Sequence, residues 1–316
     1  MRFRLRAAED IAQAMTATAA PLVAASHNIM DGLQLPALIE HYRQLQDERS
    51  LHVLALQENR QGPDGFHADA VARALGGRFR VILHPDAIRL ATIFDGERLQ
   101  LDERFLIPLP LLDRLGPIDR LYIMGGRVKQ KWALVSRLRV DDESTLTVVN
   151  FHLDIAGNSE HRLRQTTAIA RVLRLRCLHR RVVVCGDTNC YVFRKRCQAA
   201  ALARLLEPLS SLGIEIPREG GATHFFARQG EPMLAHRLCA LAGKVGIDHP
   251  LRYDIIASDL PLQARGQVTT EASDHDLVWL QLAPQRAPSA EPQDTIKSER
   301  QGSRGRPPRR SRRPDR

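Results

Sequence analysis

Val182-Val-Val-Cys-Gly-Asp-Thr-Asn189 decides how the chain is read. The apolar run, taken as Arg181–Cys185, is too short for a helix and is closed by a glycine, so it reads as a buried strand. Asp187 and Asn189 then stand at the strand's end, where a rigid scaffold holds a carboxylate without burying it unpaired. The same arrangement recurs outward in both directions. Upstream, Leu146-Thr-Val-Val-Asn-Phe151 runs into His152-Leu-Asp154, the run His52–Leu56 into Gln57-Glu-Asn59, and the first strand, Leu22–Ile29, into Asn28. Downstream, Arg252-Tyr-Asp254 opens Ile255-Ile-Ala-Ser258, and Ser273-Asp-His-Asp276 precedes Leu277-Val-Trp-Leu280. Strands that deliver Asn, Glu, His and Asp to one rim build an anionic cup, which repels itself unless a hard cation sits in it. Oxygen ligands with few thiols select Mg2+ or Mn2+ over Zn2+.

The remaining runs complete a strand and helix alternation. Arg80–Leu83, Leu90–Phe94, Lys131–Val140, Thr145–Phe151, Tyr253–Ala257 and Leu277–Leu282 read as strands. In Lys131–Val140, Trp132, Leu134 and Leu138 share one face and Lys131, Arg137 and Arg139 the other, which predicts a half-solvated strand of an antiparallel sheet. Helices are predicted at Pro36–Arg49, Phe66–Leu75, Glu160–Leu178 and Lys195–Leu206. The third sets Leu163, Ile169, Ala170, Leu173 and Cys177 on one face, with a solvated basic face of Arg164, Arg171 and Arg174 opposite. Helices joining strands in a chain of this length predict two sheets packed on each other with helices outside, an α/β fold.

Composition bounds the rest. The 316 residues carry 43% hydrophobic and 26% charged side chains, which excludes wholesale disorder, a collagen-like chain and a disulfide miniprotein. The net charge of +10 is concentrated at the C-terminus: residues 284–316 hold ten basic and four acidic side chains, leaving +4 on residues 1–283. That tail, rich in Pro, Ser, Gln and Arg, is too poor in apolar side chains to offset its ordering entropy and is expected to be disordered. Nearly all basic residues are Arg, read either as the codon usage of a GC-rich genome or as phosphate binding. Five cysteines without a CxxC pair read as free thiols of a reducing compartment. There is no apolar run of roughly 18 residues for a membrane span, and residues 11–20 are too rich in Thr and Gln for a signal peptide. A cytoplasmic, monomeric protein is expected.

The ordered set Ser26-His-Asn28, Leu54-Ala-Leu-Gln-Glu58, Val149-Asn-Phe-His-Leu-Asp154, Gly186-Asp-Thr-Asn189, Arg252-Tyr-Asp254 and Ser273-Asp-His275 resembles the endonuclease/exonuclease/phosphatase superfamily, with Arg162 and Gln165 adding to the pattern. The resemblance implies a four-layer α/β sandwich of two mixed, mostly antiparallel sheets, and a metal-dependent phosphoester hydrolase. It implies that Asn28 and Glu58 are magnesium ligands and that Asp274 binds a second cation. It further implies that Asp187 and Asn189 orient water and phosphate, and that Asp254 orients a histidine. His275 would contact the scissile phosphate or act as general base, and His152 would bind a phosphate oxygen or protonate the leaving group.

Departures from the family pattern bear on substrate. Met30 stands where the abasic-site branch has an acidic residue, and the inositol phosphatase signature around the third Asp is absent. The presence of His152 resembles the branch of deoxyribonuclease-I-like nucleases, deadenylases, inositol polyphosphate phosphatases and sphingomyelinases. Arg127, Lys129 and Lys131, with Arg194 among Arg194-Lys-Arg196, are candidate phosphate-binding groups, or else solvated surface. Phe225 and Phe226 of Thr223-His-Phe-Phe226 are expected in the core, and 229–250 reads as an insertion. The expected activity is that of an Mg2+-dependent nuclease. A phosphatase or phosphodiesterase acting on a small phosphorylated metabolite or phosphoinositide head group is the alternative, and a non-catalytic binding module the third reading.

Overall fold

The computed structural model describes residues 21–113, 129–141, 144–192, 195–217, 220–225 and 251–283. Arg127, Arg194, Phe226, Cys239, the 229–250 insertion, the first twenty residues and the 284–316 tail lie outside the described residues.

Two sheets carry the molecule. The first contains β1 (Leu22–Asn28), β2 (Leu51–Gln57), β5 (Phe79–Ile82), β6 (Leu90–Asp95), β12 (Leu262–Val268) and β13 (Leu277–Leu282), in the order β12-β13-β1-β2-β6-β5. The second contains β7 (Gln100–Pro108), β8 (Trp132–Arg139), β9 (Thr145–His152), β10 (Val182–Asp187) and β11 (Asp254–Ser258), in the order β11-β10-β9-β8-β7. A two-residue hairpin, β3 (Gln61–Gly62) with β4 (Gly65–Phe66), stands apart. Each large sheet has one parallel pair, β1 with β2 and β9 with β10, and its other neighbours are antiparallel. Helix α1 (Leu35–Arg49) makes the first parallel crossover and α3 (Ser159–Leu175) the second; α2 (His67–Leu75) and α4 (Gln198–Ser210) complete the helices.

Apolar periodicity builds the layers. Leu38, Tyr42 and Leu45 of α1 and Val71 of α2 pack on Val23, Ala25, Leu54 and Leu56. Ile169 and Leu173 of α3 and Leu202, Leu205 and Leu209 of α4 pack on Ala133, Val135, Val149 and Val184. The opposite faces of both sheets meet in a middle core of Ala24, Val53, Leu134, Val148, Val183, Ile256 and Leu280. The architecture is therefore the expected four layers, helix–sheet–sheet–helix, with mixed, mostly antiparallel sheets.

Four expectations need correction. The strand β8 is not half-solvated: Ala133 and Val135 face the helices and Leu134 and Leu138 the other sheet, so Arg139 alone in the strand is exposed, with Trp132 and Arg137 half-buried. Helix α3 ends at Leu175, and Cys177, at φ +54°, is exposed; Leu178 takes the buried position. Helix α4 begins at Gln198, after a 3-10 turn at Lys195–Cys197, and runs to Ser210. Two strands, β7 and β12, lacked a sequence signal because both are sheet edges, where polar side chains such as Asp102, Arg104, Gln263 and Arg265 are tolerated.

Polar groups inside the middle layer fix how the sheets register. Asn150 of β9 donates from Nδ2 to the carbonyls of Leu56 (3.0 Å) and Ala91 (2.8 Å), and its Oδ1 accepts from Gln57 Nε2 at 2.7 Å. Replacing it with an isosteric apolar residue removes one of the two acceptors of the Gln57 amide, the other being Ser26 Oγ, and takes the side-chain donor from the Leu56 and Ala91 carbonyls. Asn150→Leu is expected to cost about 2–4 kcal/mol in urea unfolding; a loss below about 1 kcal/mol would show that this bridge does not hold the sheets.

His52 gives a pH signature. It is buried, and its Nδ1 accepts the Val23 N–H at 3.2 Å, which requires the neutral ring. Burial first, then Arg98 and Arg78 against Asp95, holds its pKa down to about 4. A folded value below the unfolded one means that the contribution is complete above pH ~6.5 and fades as pH falls toward 4, by about 2 kcal/mol at pH 5. His52→Asn keeps an acceptor that does not titrate, so its stability should fall less between pH 7 and pH 5 than that of the wild type. Equal slopes for both proteins would refute the assignment.

Candidate active site

The topology explains why distant segments meet. Parallel strands end on the same side, so β1 and β2 bring Asn28 and Glu58 to one rim, and β9 and β10 bring His152 and Asp187. The antiparallel neighbours β13 and β11 begin where β1 and β10 end, which delivers Asp274 and His275 just before β13 and Asp254 at the start of β11. His152, Asp187 and Asp254 lie in one row across three strands, paired in register.

The side chains converge. Asn28 Nδ2 donates to Asp187 Oδ2 at 3.0 Å and lies 3.5 Å from His275 Nε2. Asp187 Oδ1 accepts the Asn189 backbone N–H at 2.7 Å, and Asn189 Nδ2 donates to the Leu153 carbonyl at 2.9 Å. His275 Nδ1 meets Asp254 Oδ2 at 2.7 Å, so Nδ1 carries the donated proton and Nε2 faces the cup, 3.8 Å from Asp187 Oδ2 and 3.9 Å from Asp274 Oδ1. His152 Nε2 lies 3.6 Å from Asp187 Oδ2 and 4.0 Å from Glu58 Oε1. All eight predicted catalytic and metal-ligating residues thus line one cup; only Glu58 keeps substantial side-chain exposure, 24%. Glu58 and Asn189 adopt positive φ, +60° and +46°, turning the chain sharply at the strand ends.

Electrostatics divides the histidines. Burial, then Lys131, holds His152 down to about 3, so it is neutral near pH 7. Burial also opposes the charged form of His275, but Asp254, Asp274 and Asp187 together push it well above its ordinary value. Burial raises Glu58 against the pull of Arg89, and Asp31 and Asp274 raise it further. Lys131 is half-buried and close enough to act on His152; Lys129, two residues before it, is exposed.

No protein-family model matches the sequence, and neither does any curated protein. Solved structures do match in fold. An endonuclease/exonuclease/phosphatase from Bacteroides vulgatus aligns over 84% of this chain and 100% of its own at a TM-score of 0.59 and 14% identity. D. rerio TDP2 complexed with a single-strand DNA product aligns over 83% of this chain and 98% of its own, at 0.55 and 13%. The endonuclease domain of TRAS1, a telomere-specific non-LTR retrotransposon, aligns over 84% and 99%, at 0.51 and 16%. This is the endonuclease/exonuclease/phosphatase fold.

Within the endonuclease/exonuclease/phosphatase fold, the cup's donor set is suited to a divalent cation. Glu58 sits among like charges, and the guanidinium that counters it, Arg89, is shared: its Nη2 lies 3.5 Å from Glu58 Oε2 and 2.7 Å from Asp31 Oδ1. A second grouping, His224, Asp274 and His275, brings ligand atoms within 4.8 Å of one another.

Several groups were not assigned roles from sequence. Arg89 immediately precedes β6, the antiparallel partner of β2, and so enters the rim by the same rule as Asp254 and His275. His224 reaches the cup through bridges to Leu251 and His275 and stacks on Tyr253 with centroids 4.5 Å apart. Asp154 organises the loop after β9: it meets His161 Nε2 at 2.9 Å and Gln165 Nε2 at 2.7 Å, while buried Arg162 donates to the carbonyls of residues 154–157. Arg162 and Gln165 are thus supports of that loop.

Proposed function

We propose that the chain is an Mg2+-dependent phosphodiesterase that cleaves nucleic acid. The observation that carries this reading is the single cup in which Asn28, Glu58, Asp187, Asp274 and His275 meet, with Asp187 held from both oxygens and His275 held by Asp254. Asn28, Glu58 and Asp274 would hold the cation, with Mn2+ as a substitute. A divalent cation there would neutralise charge that grows on the phosphate as the bond breaks.

The chain's own residues supply the rest. Asp187, fixed by Asn28 and by the Asn189 amide, accepts a proton from the attacking water and orients it. Asn189, locked to the Leu153 carbonyl, fixes the turn that aims Asp187. Asp254 holds the charged His275 ring through Nδ1, so that its Nε2–H is directed at a phosphate oxygen. His152 lies on the opposite side of Asp187 from Asp254 in the strand row and is placed to bond a second oxygen. Lys131 and Arg89 add positive charge for a polyanion.

Two neighbours in fold support nucleic acid as the substrate: TDP2 was captured with a single-strand DNA product, and TRAS1 contributes an endonuclease domain. Incubating purified protein with labelled single- and double-stranded DNA and RNA, with Mg2+, Mn2+ or EDTA, is the test. Cleavage of at least one polymer with Mg2+, abolished by EDTA, is expected. Hydrolysis of small phosphoesters alone would displace nucleic acid as the substrate, and no turnover of any phosphoester would end the hydrolase reading.

A further inference from the structure

His224 has no part in the chemistry above, yet it brings a third imidazole to the cup. Its Nε2 lies 3.6 Å from Asp274 Oδ2, and His275 Nε2 lies 3.9 Å from Oδ1 of the same carboxylate. One ligand atom from each of the three residues falls within 4.8 Å of the other two. A tetrahedral zinc ion with bonds of about 2.0–2.2 Å holds its ligand atoms about 3.3–3.5 Å apart, so side-chain shifts on the order of 1 Å would seat all three.

The donor set separates this group from the hard-cation position at Asn28 and Glu58. Two imidazole nitrogens and one carboxylate suit Zn2+, whereas Mg2+ takes oxygen ligands. His275 is also held from behind: its Nδ1 meets Asp254 Oδ2 at 2.7 Å, the carboxylate–histidine pairing that orients a metal-bound imidazole and makes it a better ligand. His224 is held as well. Its ring stacks on Tyr253 with centroids 4.5 Å apart and planes 20° from parallel, and its backbone bridges to Leu251 and His275. Asp254, Asp274 and Asp187 all lie within 4 Å of the His275 ring nitrogens, and a field that favours one proton there favours a dication more. The Nε2 proton passes to solvent as the metal takes its place.

We propose that His224, Asp274 and His275 bind Zn2+ and that the bound ion inhibits hydrolysis. The ion occupies Nε2 of His275, the atom directed at the phosphate, and ties up the Asp274 carboxylate. Zinc binding is a property of these three side chains whatever the substrate. The inhibition rests on the phosphodiesterase reading.

Isothermal titration of the metal-free full chain with Zn2+ and with Mg2+ tests the site without any substrate. Zn2+ is expected to bind at least about a hundredfold more tightly than Mg2+. His224→Phe keeps an aromatic ring on Tyr253 and removes the nitrogen, so it should weaken Zn2+ at least about tenfold; Glu58→Gln, at the magnesium position, should weaken it less. Phosphodiester hydrolysis in Mg2+ should fall as Zn2+ is added. The half-inhibiting Zn2+ concentration should rise at least about tenfold in His224→Phe, each protein being compared with its own zinc-free rate. Anomalous diffraction from a Zn2+-soaked wild-type crystal, with a peak bonded to Nε2 of His224 and of His275, decides the matter even if His224→Phe does not fold. Zn2+ binding no tighter than Mg2+, unchanged Zn2+ affinity in a folded His224→Phe, or a map with no zinc between those two nitrogens would each overturn the site. Zinc bound there with undiminished turnover would overturn the inhibition alone. Absence of turnover with Mg2+ alone would end the hydrolase reading and leave the zinc site to stand or fall on the titration and the map.

Discussion

Asp187→Asn should lower phosphodiester hydrolysis at least about a thousandfold while leaving the fold intact. Asp187 is the best-connected group of the cup: one oxygen accepts from Asn28, the other from the Asn189 amide, and two imidazoles lie within 4 Å. The amide keeps the shape but removes the negative charge, and its NH2 then opposes the Asn28 NH2 donor. General-base assistance is worth about 10²–10⁴ in rate, and loss of a preorganised charge about as much again, so the two together set the expected scale. Because substrate contacts lie elsewhere, kcat should carry the loss rather than KM. A melting temperature within a few degrees of wild type would show that chemistry, not folding, was lost. Turnover within tenfold of wild type would remove Asp187 from the mechanism.

Gly186→Ala should damage fold and activity together. Gly186 adopts φ +144° at the end of β10, and a Cβ there would lie 1.9 Å from the Phe151 carbonyl oxygen and 2.8 Å from its carbon. These are backbone atoms of β9, the parallel neighbour in register, so no rotamer change relieves the clash. Overpacking and a backbone conformation that L residues rarely adopt together cost about 3–5 kcal/mol, equivalent to a fall of roughly 10 °C in Tm. Asp187 follows directly and would be displaced with the strand. Normal stability and turnover in this variant would mean that β9 and β10 can separate at the rim without consequence.

The cup was legible because a general physical rule placed it: a strand must bury its side chains, so charged groups collect at its ends. Asn28, Glu58, His152, Asp187, Asp254 and His275 all followed from that rule, and the structure gathers them. Arg89 obeys the same rule, but it stands as a lone basic residue before Leu90–Asp95, and only the β2–β6 pairing reveals which rim it joins. His224 lies in no strand, and its approach to His275 is set by long-range pairing that local sequence does not encode. The edge strands β7 and β12 lacked a signal for the opposite reason, since half-exposed strands need not be apolar.

Anomalous diffraction from a crystal soaked in Mn2+ tests most directly whether the strand ends form one metal-dependent centre. A peak bonded to a Glu58 carboxylate oxygen, with Asn28 or Asp274 as a further ligand, and absent from a Glu58→Gln crystal treated identically, is the predicted result. A map with no peak among Glu58, Asp187 and His275, at a Mn2+ concentration that supports hydrolysis in solution, would contradict it.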